Sequence, residues 1–89
     1  MKKIVEVTEV KGEGMVSLLG ERVILFCLNY IYTGKLSGVN DTFVLLDDAA
    51  IVYETGAFTD KRFKDAQKLG HPHYVQLSAV ESFAKTSQE

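Results

Sequence analysis

The side chains that could carry catalysis or bind a metal are few in this sequence. Asp47 and Asp48 are adjacent, so on a regular strand they point to opposite faces and cannot act together as acid and base. His71 and His73 offer two metal ligands, whereas a tetrahedral zinc site needs three or four. No phosphate-binding loop accompanies them, nor a Ser/His/Asp set with a glycine motif. The sequence therefore predicts no enzyme, no metal site and no cofactor.

Charge is distributed unevenly along a chain whose formal net charge is −2. Residues 36–55 contain four acidic residues and no Lys or Arg. Positive charge is concentrated instead at Lys61, Arg62, Lys64 and Lys68. A solvated face is the ordinary explanation for such a run. The functional alternative is a basic rim that these four side chains present to nucleic acid.

The length and composition indicate a small globular protein. A chain of 89 residues supports one hydrophobic core, so we predict a single domain over residues 1–89. The longest apolar run, residues 23–28, is too short to cross a bilayer, and Glu6 and Glu9 interrupt the segment that begins like an export signal. Cys27 has no partner for a disulfide. We therefore expect a cytoplasmic protein without membrane contacts.

Alternating apolar residues and glycine spacing predict five short strands. Gly34 and Gly38 interrupt the second strand, which predicts a strongly bent sheet, and Asp47–Asp48 mark a kink in the third. These features favour a small closed or partly closed barrel. Apolar residues on both faces of most strands suggest that some strand edges meet another subunit. The predicted strands are residues 22–28, 30–39, 43–53, 74–77 and 80–84.

Residues 56–73 form an insertion before the last two strands, and their spacing predicts a short amphipathic helix. Thr59 or Asp60 would cap its N-terminus, and Gly70 would end it. The residues of its apolar face would be Phe63, Ala66 and Leu69.

The two ends of the chain give weaker signals. Residues 1–11 form an N-terminal extension whose valines slightly favour a strand. Residues 15–19 have helix-like apolar spacing, and Gly20 stands where one helical turn would end. Residues 85–89 are predicted to be a polar tail.

Three segments carry glycine and hydrophobic positions in the order of a known family. Residues 18–23 read Leu-Leu-Gly-Glu-Arg-Val, and residues 34–46 read Gly-Lys-Leu-Ser-Gly-Val-Asn-Asp-Thr-Phe-Val-Leu-Leu. Together they resemble the first signature of the Sm-like proteins. Residues 77–83, Leu-Ser-Ala-Val-Glu-Ser-Phe, resemble the second signature in the form found in the bacterial Hfq-type members.

The resemblance implies a fold and an assembly. The fold would be mostly β, a strongly bent, five-stranded, SH3-like open barrel with a short N-terminal helix and the helical insertion before the last two strands. Such proteins form homo-oligomeric rings, here of about five to seven subunits, by pairing the fourth strand of one subunit with the fifth of the next. The rings bind uridine-rich or other single-stranded RNA near the pore.

The resemblance also assigns RNA contacts to two loops. The acidic residue of the family's first loop falls on Asn40 or on Asp41. The base-stacking position falls on Thr42 or on Phe43, although Phe43 is also an ordinary core residue of a strand. Ser78 would face these residues from the loop between the last two strands.

Three residues depart from the family pattern, and they leave two functions open. Val44 stands where Sm proteins read uracil with Asn, and Leu77 and Ser78 stand where the second signature carries a cation. The first hypothesis is a ring that binds single-stranded RNA, as RNA chaperones and processing factors do. The second is a structural or protein-interaction scaffold ring that has lost RNA binding.

Overall fold

The computed structural model describes residues 14–89. In this range a 3-10 turn at Met15–Leu18 precedes the sheet, and a second one at Leu77–Ala79 joins its last two strands. Neither turn, and no other described helix, is long and apolar enough to cross a membrane. The strand preference of residues 1–11 lies outside the described residues. The strands are β1 (Arg22–Cys27), β2 (Ile31–Val39), β3 (Phe43–Glu54), β4 (Asp65–Lys68), β5 (His73–Gln76) and β6 (Val80–Lys85).

The six strands form one antiparallel sheet in the order β4-β3-β2-β1-β6. β5 also pairs with β3, along its first half at residues 43–46, whereas β4 pairs with the second half at residues 50–54. Within residues 14–89, β6 pairs with β1 alone, so the sheet stays open. The predicted mostly β architecture is confirmed, and the five predicted strands are present within a few residues of their expected bounds.

β1 is apolar on both faces because it lies between two cores. Val23 and Leu25, both fully buried, belong to the main core. Ile24 packs on the opposite face with Val52 and Phe63. This second core buries the outer apolar face of β1 within the chain itself. The other buried members of the main core are Leu36, Val44, Leu46, Ala49 and Val75.

The sheet bends at the two glycines of β2, as predicted. The register between β2 and β3 shifts between Thr33 and Lys35, and again between Leu36 and Gly38. Each shift is the irregularity expected of a β-bulge, which bends and twists a strand. At the first of them, Gly34 lets the backbone of β3 come close.

β3 has the predicted kink. Asp48 has a φ of 50°, in the left-handed region that Asn and Asp tolerate better than most residues. Asp47 and Asp48 are both exposed, and Ala49 and Ala50 are both buried, so the normal alternation of a strand breaks at this point. The kink therefore turns both carboxylates to solvent, instead of to opposite faces.

The insertion contains no helix, so the helix expected within residues 56–73 is wrong. Its residues form β4, in which Ala66 lies opposite Val52 of β3. Phe63 packs in the second core and Leu69 on the main core, so their three-residue spacing does not mark one face. β5 covers only the first half of β3, so the backbone N–H and C=O groups of the second half need another partner. Hydrogen bonding to these groups outweighs the weak helix preference of the insertion.

The polar tail predicted for residues 85–89 is packed in part, with Gln88 buried and Lys85, Ser87 and Glu89 exposed. Lys85 ends β6. Gln88 is only 1% exposed, and its Nε2 donates hydrogen bonds to the carbonyl oxygens of Thr55 and Ala57, each at 3.1 Å. Two further backbone hydrogen bonds join Glu89 to the insertion. These last residues therefore hold the insertion in place.

We expect Gly34→Ala to lower the free energy of unfolding by about 1–3 kcal/mol, because the core must give way to the added methyl group. Its Cβ would lie 2.8 Å from the carbonyl oxygen of Asp47 and 3.0 Å from Cβ of Leu46. Gly38→Ala is the matched control, since its nearest contact is an ordinary 3.5 Å to Cβ of Leu45. Urea denaturation measures both, and equal stabilities would contradict the close approach at Gly34.

Candidate functional site

The loop between β2 and β3 is a tight turn shaped by Asn40. The side-chain Oδ1 of Asn40 accepts hydrogen bonds from the backbone N–H groups of Thr42 at 2.8 Å and Phe43 at 2.9 Å. The N–H of Asn40 donates to the carbonyl oxygen of Phe43 at 3.1 Å. Both lone pairs of Oδ1 are thereby used, so a ligand at this loop would be met by the Nδ2 group.

The second 3-10 turn lies directly against this loop. The N–H of Leu77 donates to the carbonyl oxygen of Thr42 at 2.9 Å. Ser78, the next residue, is exposed, as are Asp41 and Thr42. The structure thus brings together the two segments to which the sequence assigned a common site.

An exposed aromatic side chain lies beside this site and was not among the predicted site residues. Tyr74 is 60% exposed, and its ring meets the half-buried ring of Phe43 edge to face, with centroids 5.1 Å apart. The alternation of side chains along β5 could have identified Tyr74, because the neighbouring Val75 points into the core and Tyr74 must then point outwards. Exposed aromatic rings are the surfaces on which bases of single-stranded nucleic acids stack.

The charge around the site is weakly negative. Residues 40–43 and 77–79 contain Asp41 and no Lys or Arg. Phosphate groups are attracted to nucleic-acid sites mainly by cations. Such attraction would have to come from another part of the surface.

The four predicted rim residues lie on the insertion and on β4, beside the second half of β3. Nζ of Lys64 lies 3.2 Å from a carboxylate oxygen of Glu54, and Nζ of Lys68 lies 2.9 Å from one of Asp48. Within residues 14–89, no acidic side chain comes within ion-pair distance of the other two rim residues, Lys61 and Arg62. Among the residues that the structure describes, the predicted rim therefore has two cations with an acidic partner and two without one.

Asp48 joins the kink of β3 to this basic surface. Nη1 of Arg22 lies 3.0 Å from one carboxylate oxygen of Asp48, and Lys68 binds the other. The hydrogen bond from Lys68 lowers the pKa of the Asp48 carboxyl below its ordinary value, and Arg22 adds to the effect. The carboxylate thus fixes two cations of the surface.

The remaining reactive side chains in the described part of the chain are Cys27, His71 and His73. Burial, followed by the charge of Glu81, raises the pKa of the Cys27 thiol, which keeps it in the less reactive protonated form. His71 and His73 have ring centroids 5.7 Å apart. Among residues 14–89, no group of three His, Cys, Asp or Glu side chains is placed to hold a metal ion.

The chain matches no protein-family model, and no curated protein matches it at a significant level. The resemblance to Sm-like proteins therefore rests on the sequence motifs quoted above.

We expect Asp48→Asn to lower the free energy of unfolding near neutral pH by at most about 1 kcal/mol, because the Asp48 carboxylate that both ion pairs share is more than half exposed to solvent. Asn also tolerates the left-handed backbone at this position. The folded-state pKa of Asp48 is lowered, so its contribution is present above the unfolded pKa of roughly 4 and is lost as the pH falls through the folded value. Urea denaturation at neutral pH and at low pH tests this, and a difference that persists in acid would contradict it.

Proposed function

We propose that this chain is an Sm-like protein that assembles into a homo-oligomeric ring and binds single-stranded RNA. The RNA surface would be the loop between β2 and β3 together with the second 3-10 turn. The observation that carries the proposal is the hydrogen bond between Leu77 and Thr42, which joins these two segments. They are the segments that contact RNA in the family that the motifs resemble.

The order of the strands supports the Sm-like assignment. If the inserted β4 is set aside, the remaining five strands follow the order β5-β3-β2-β1-β6. A helical turn precedes them, and β2 and β3 are both bent. This order puts the last two strands of the chain at opposite edges of the sheet, where the resemblance requires the edges that join subunits.

The free edges of β5 and β6 support a ring. Within residues 14–89, β5 pairs with β3 alone and β6 with β1 alone, so each has an edge without a partner strand. Exposed aromatic side chains lie on both strands, Tyr74 at 60% and Phe83 at 39% exposure. Pairing β5 of one copy with β6 of the next would satisfy both edges and continue the sheet around a closed ring.

RNA would be held at this surface mainly by stacking and by neutral polar groups. Tyr74 offers an exposed ring face beside Phe43. The Nδ2 group of Asn40 and the hydroxyl of Ser78 can hydrogen-bond to base edges. A ring would repeat the rim cations once per subunit and so supply the attraction for phosphate that the loops lack.

The same loops also favour the second candidate, a scaffold ring without RNA binding. Asp41 is exposed there, neither segment carries a cation, and Oδ1 of Asn40 is occupied by its own turn. A surface of this kind repels phosphate at close range. The scaffold would use the same strand edges for assembly and would be indifferent to RNA.

Size-exclusion chromatography with light scattering tests the ring directly. We expect a mass of about five to seven times the 9.9 kDa of one chain at micromolar concentration. Phe83→Lys places a charge on the β6 edge and should shift the mass towards the monomer. Leu28→Lys is the control, because Leu28 is 69% exposed but belongs to the turn between β1 and β2. A wild-type mass of 9.9 kDa would contradict ring formation.

Fluorescence anisotropy with labelled oligouridine tests the RNA surface. We expect Tyr74→Ala to weaken binding by about 1–3 kcal/mol, the usual contribution of one stacked base. Tyr53→Ala is the matched control, since Tyr53 has a similar exposure of 53% but lies on β3 opposite β4.

The mass of each variant separates loss of RNA contacts from loss of the ring. Weaker binding by Tyr74→Ala at an unchanged mass supports the proposed surface. Equal affinities of the two tyrosine variants would place the RNA elsewhere, and wild-type protein that does not bind at low salt would favour the scaffold.

A further inference from the structure

A cavity of about 600 Å³ lies between the insertion, β4 and the last residues of the chain, away from the loops assigned to RNA. Its volume lies in the range of small-molecule sites. Two acidic side chains line it, against five cationic ones in a chain whose net charge is −2. The cationic side chains are Arg22, Lys61, Arg62, Lys64 and Lys68.

Most of these cations are available to a ligand. Lys61 and Arg62 meet no acidic side chain within ion-pair distance in residues 14–89. Lys64 and Lys68 are paired, but both pairs are largely exposed, and such pairs contribute little to stability. Lys64 can therefore turn to an anion in the cavity without disturbing the fold, whereas Lys68 stays bound to Asp48.

Arg22 is the most firmly held cation of the cavity. Its side chain is 22% exposed, and Nη1 is fixed on Asp48 at 3.0 Å. The planar guanidinium keeps its remaining donors at a fixed angle to this bond. Nε is buried without a hydrogen-bond partner among the described residues, so a phosphate in the cavity would be met by the Nη groups.

The cavity also has an apolar wall. Phe63 is 8% exposed, and its backbone N–H donates to the carbonyl oxygen of Glu89 at 3.1 Å, which fixes its position. Ala50 and Ala66 lie beside it in the lining. A cationic side and an apolar side in one cavity are complementary to a molecule that carries both a phosphate and an organic group.

We propose that this cavity binds a small organic phosphate of the size of a nucleotide. The cations contact the phosphate groups, and Phe63, Ala50 and Ala66 contact the organic part. This binding needs neither the ring nor the loops proposed for RNA, although its cations are the ones that a ring would also offer to RNA phosphates. Gln88 and Glu89 hold the insertion that bears the cations, so the site is formed before the ligand arrives.

Isothermal titration calorimetry at low salt, with ATP, AMP, pyrophosphate and adenosine as probes, tests the proposal. We expect ATP to bind and adenosine to bind at least about tenfold more weakly, because it lacks the charged groups. The double variant Lys61→Gln/Arg62→Gln should weaken ATP binding by about tenfold or more. Lys35→Gln is the control, since Lys35 is exposed on β2 and outside the cavity, and it should bind as the wild type does.

Three results would overturn the proposal. The first is that neither ATP nor pyrophosphate binds. The second is that Lys35→Gln loses as much affinity as the double variant, which would show that the attraction is nonspecific. Pyrophosphate could also bind as tightly as ATP, which would leave no role for the apolar wall.

The outcome is separable from that of the proposed RNA surface. Tyr74→Ala should keep full affinity for ATP whether or not it loses oligouridine. A double variant that loses oligouridine but leaves ATP binding unchanged would show that the cations serve RNA and not the cavity.

Discussion

The break in β3 at Asp48 determines the bend of the sheet and the positions of the other strands. β3 pairs with β2 along one edge and with both β5 and β4 along the other. It can do so because the alternation of buried and exposed residues breaks at Asp48. The break is possible because Gly34 opposite leaves room for the backbone of β3, where any Cβ would meet the carbonyl oxygen of Asp47. Arg22 and Lys68 then compensate the exposed carboxylate of Asp48. The bend of the sheet, the position of β4 and the basic surface thus have one origin.

The two halves of β3 position the two candidate surfaces. The first half pairs with β5 and brings Phe43, Tyr74 and the second 3-10 turn to the loop that follows β2. The second half pairs with β4 and fixes the insertion, with Phe63 filling the second core. The neutral, aromatic loop surface and the cationic cavity are therefore separate features held by a single strand. A ring would repeat both of them.

The sequence predicts those parts of the fold that depend on local patterns. The apolar strand faces, the bulge glycines Gly34 and Gly38, and the Asp47–Asp48 kink are local patterns of this kind. The insertion could not be predicted in this way. Phe63 and Leu69 have helical spacing, yet they pack into different cores, because the unpaired edge of β3 lies far away in sequence. The burial of Gln88 depends in the same way on distant carbonyl groups, and a polar side chain gives no sequence signal of burial.

We propose that the assembled protein binds single-stranded RNA through stacking and through cations supplied by its subunits. This proposal is tested by a titration of labelled oligouridine at increasing salt. We expect measurable binding at low salt and a linear fall of log K with log salt, with a slope of about −0.7 for each phosphate neutralised. The slope should become shallower in the Lys61→Gln/Arg62→Gln variant. Undetectable binding at low salt would contradict RNA binding and favour the scaffold ring.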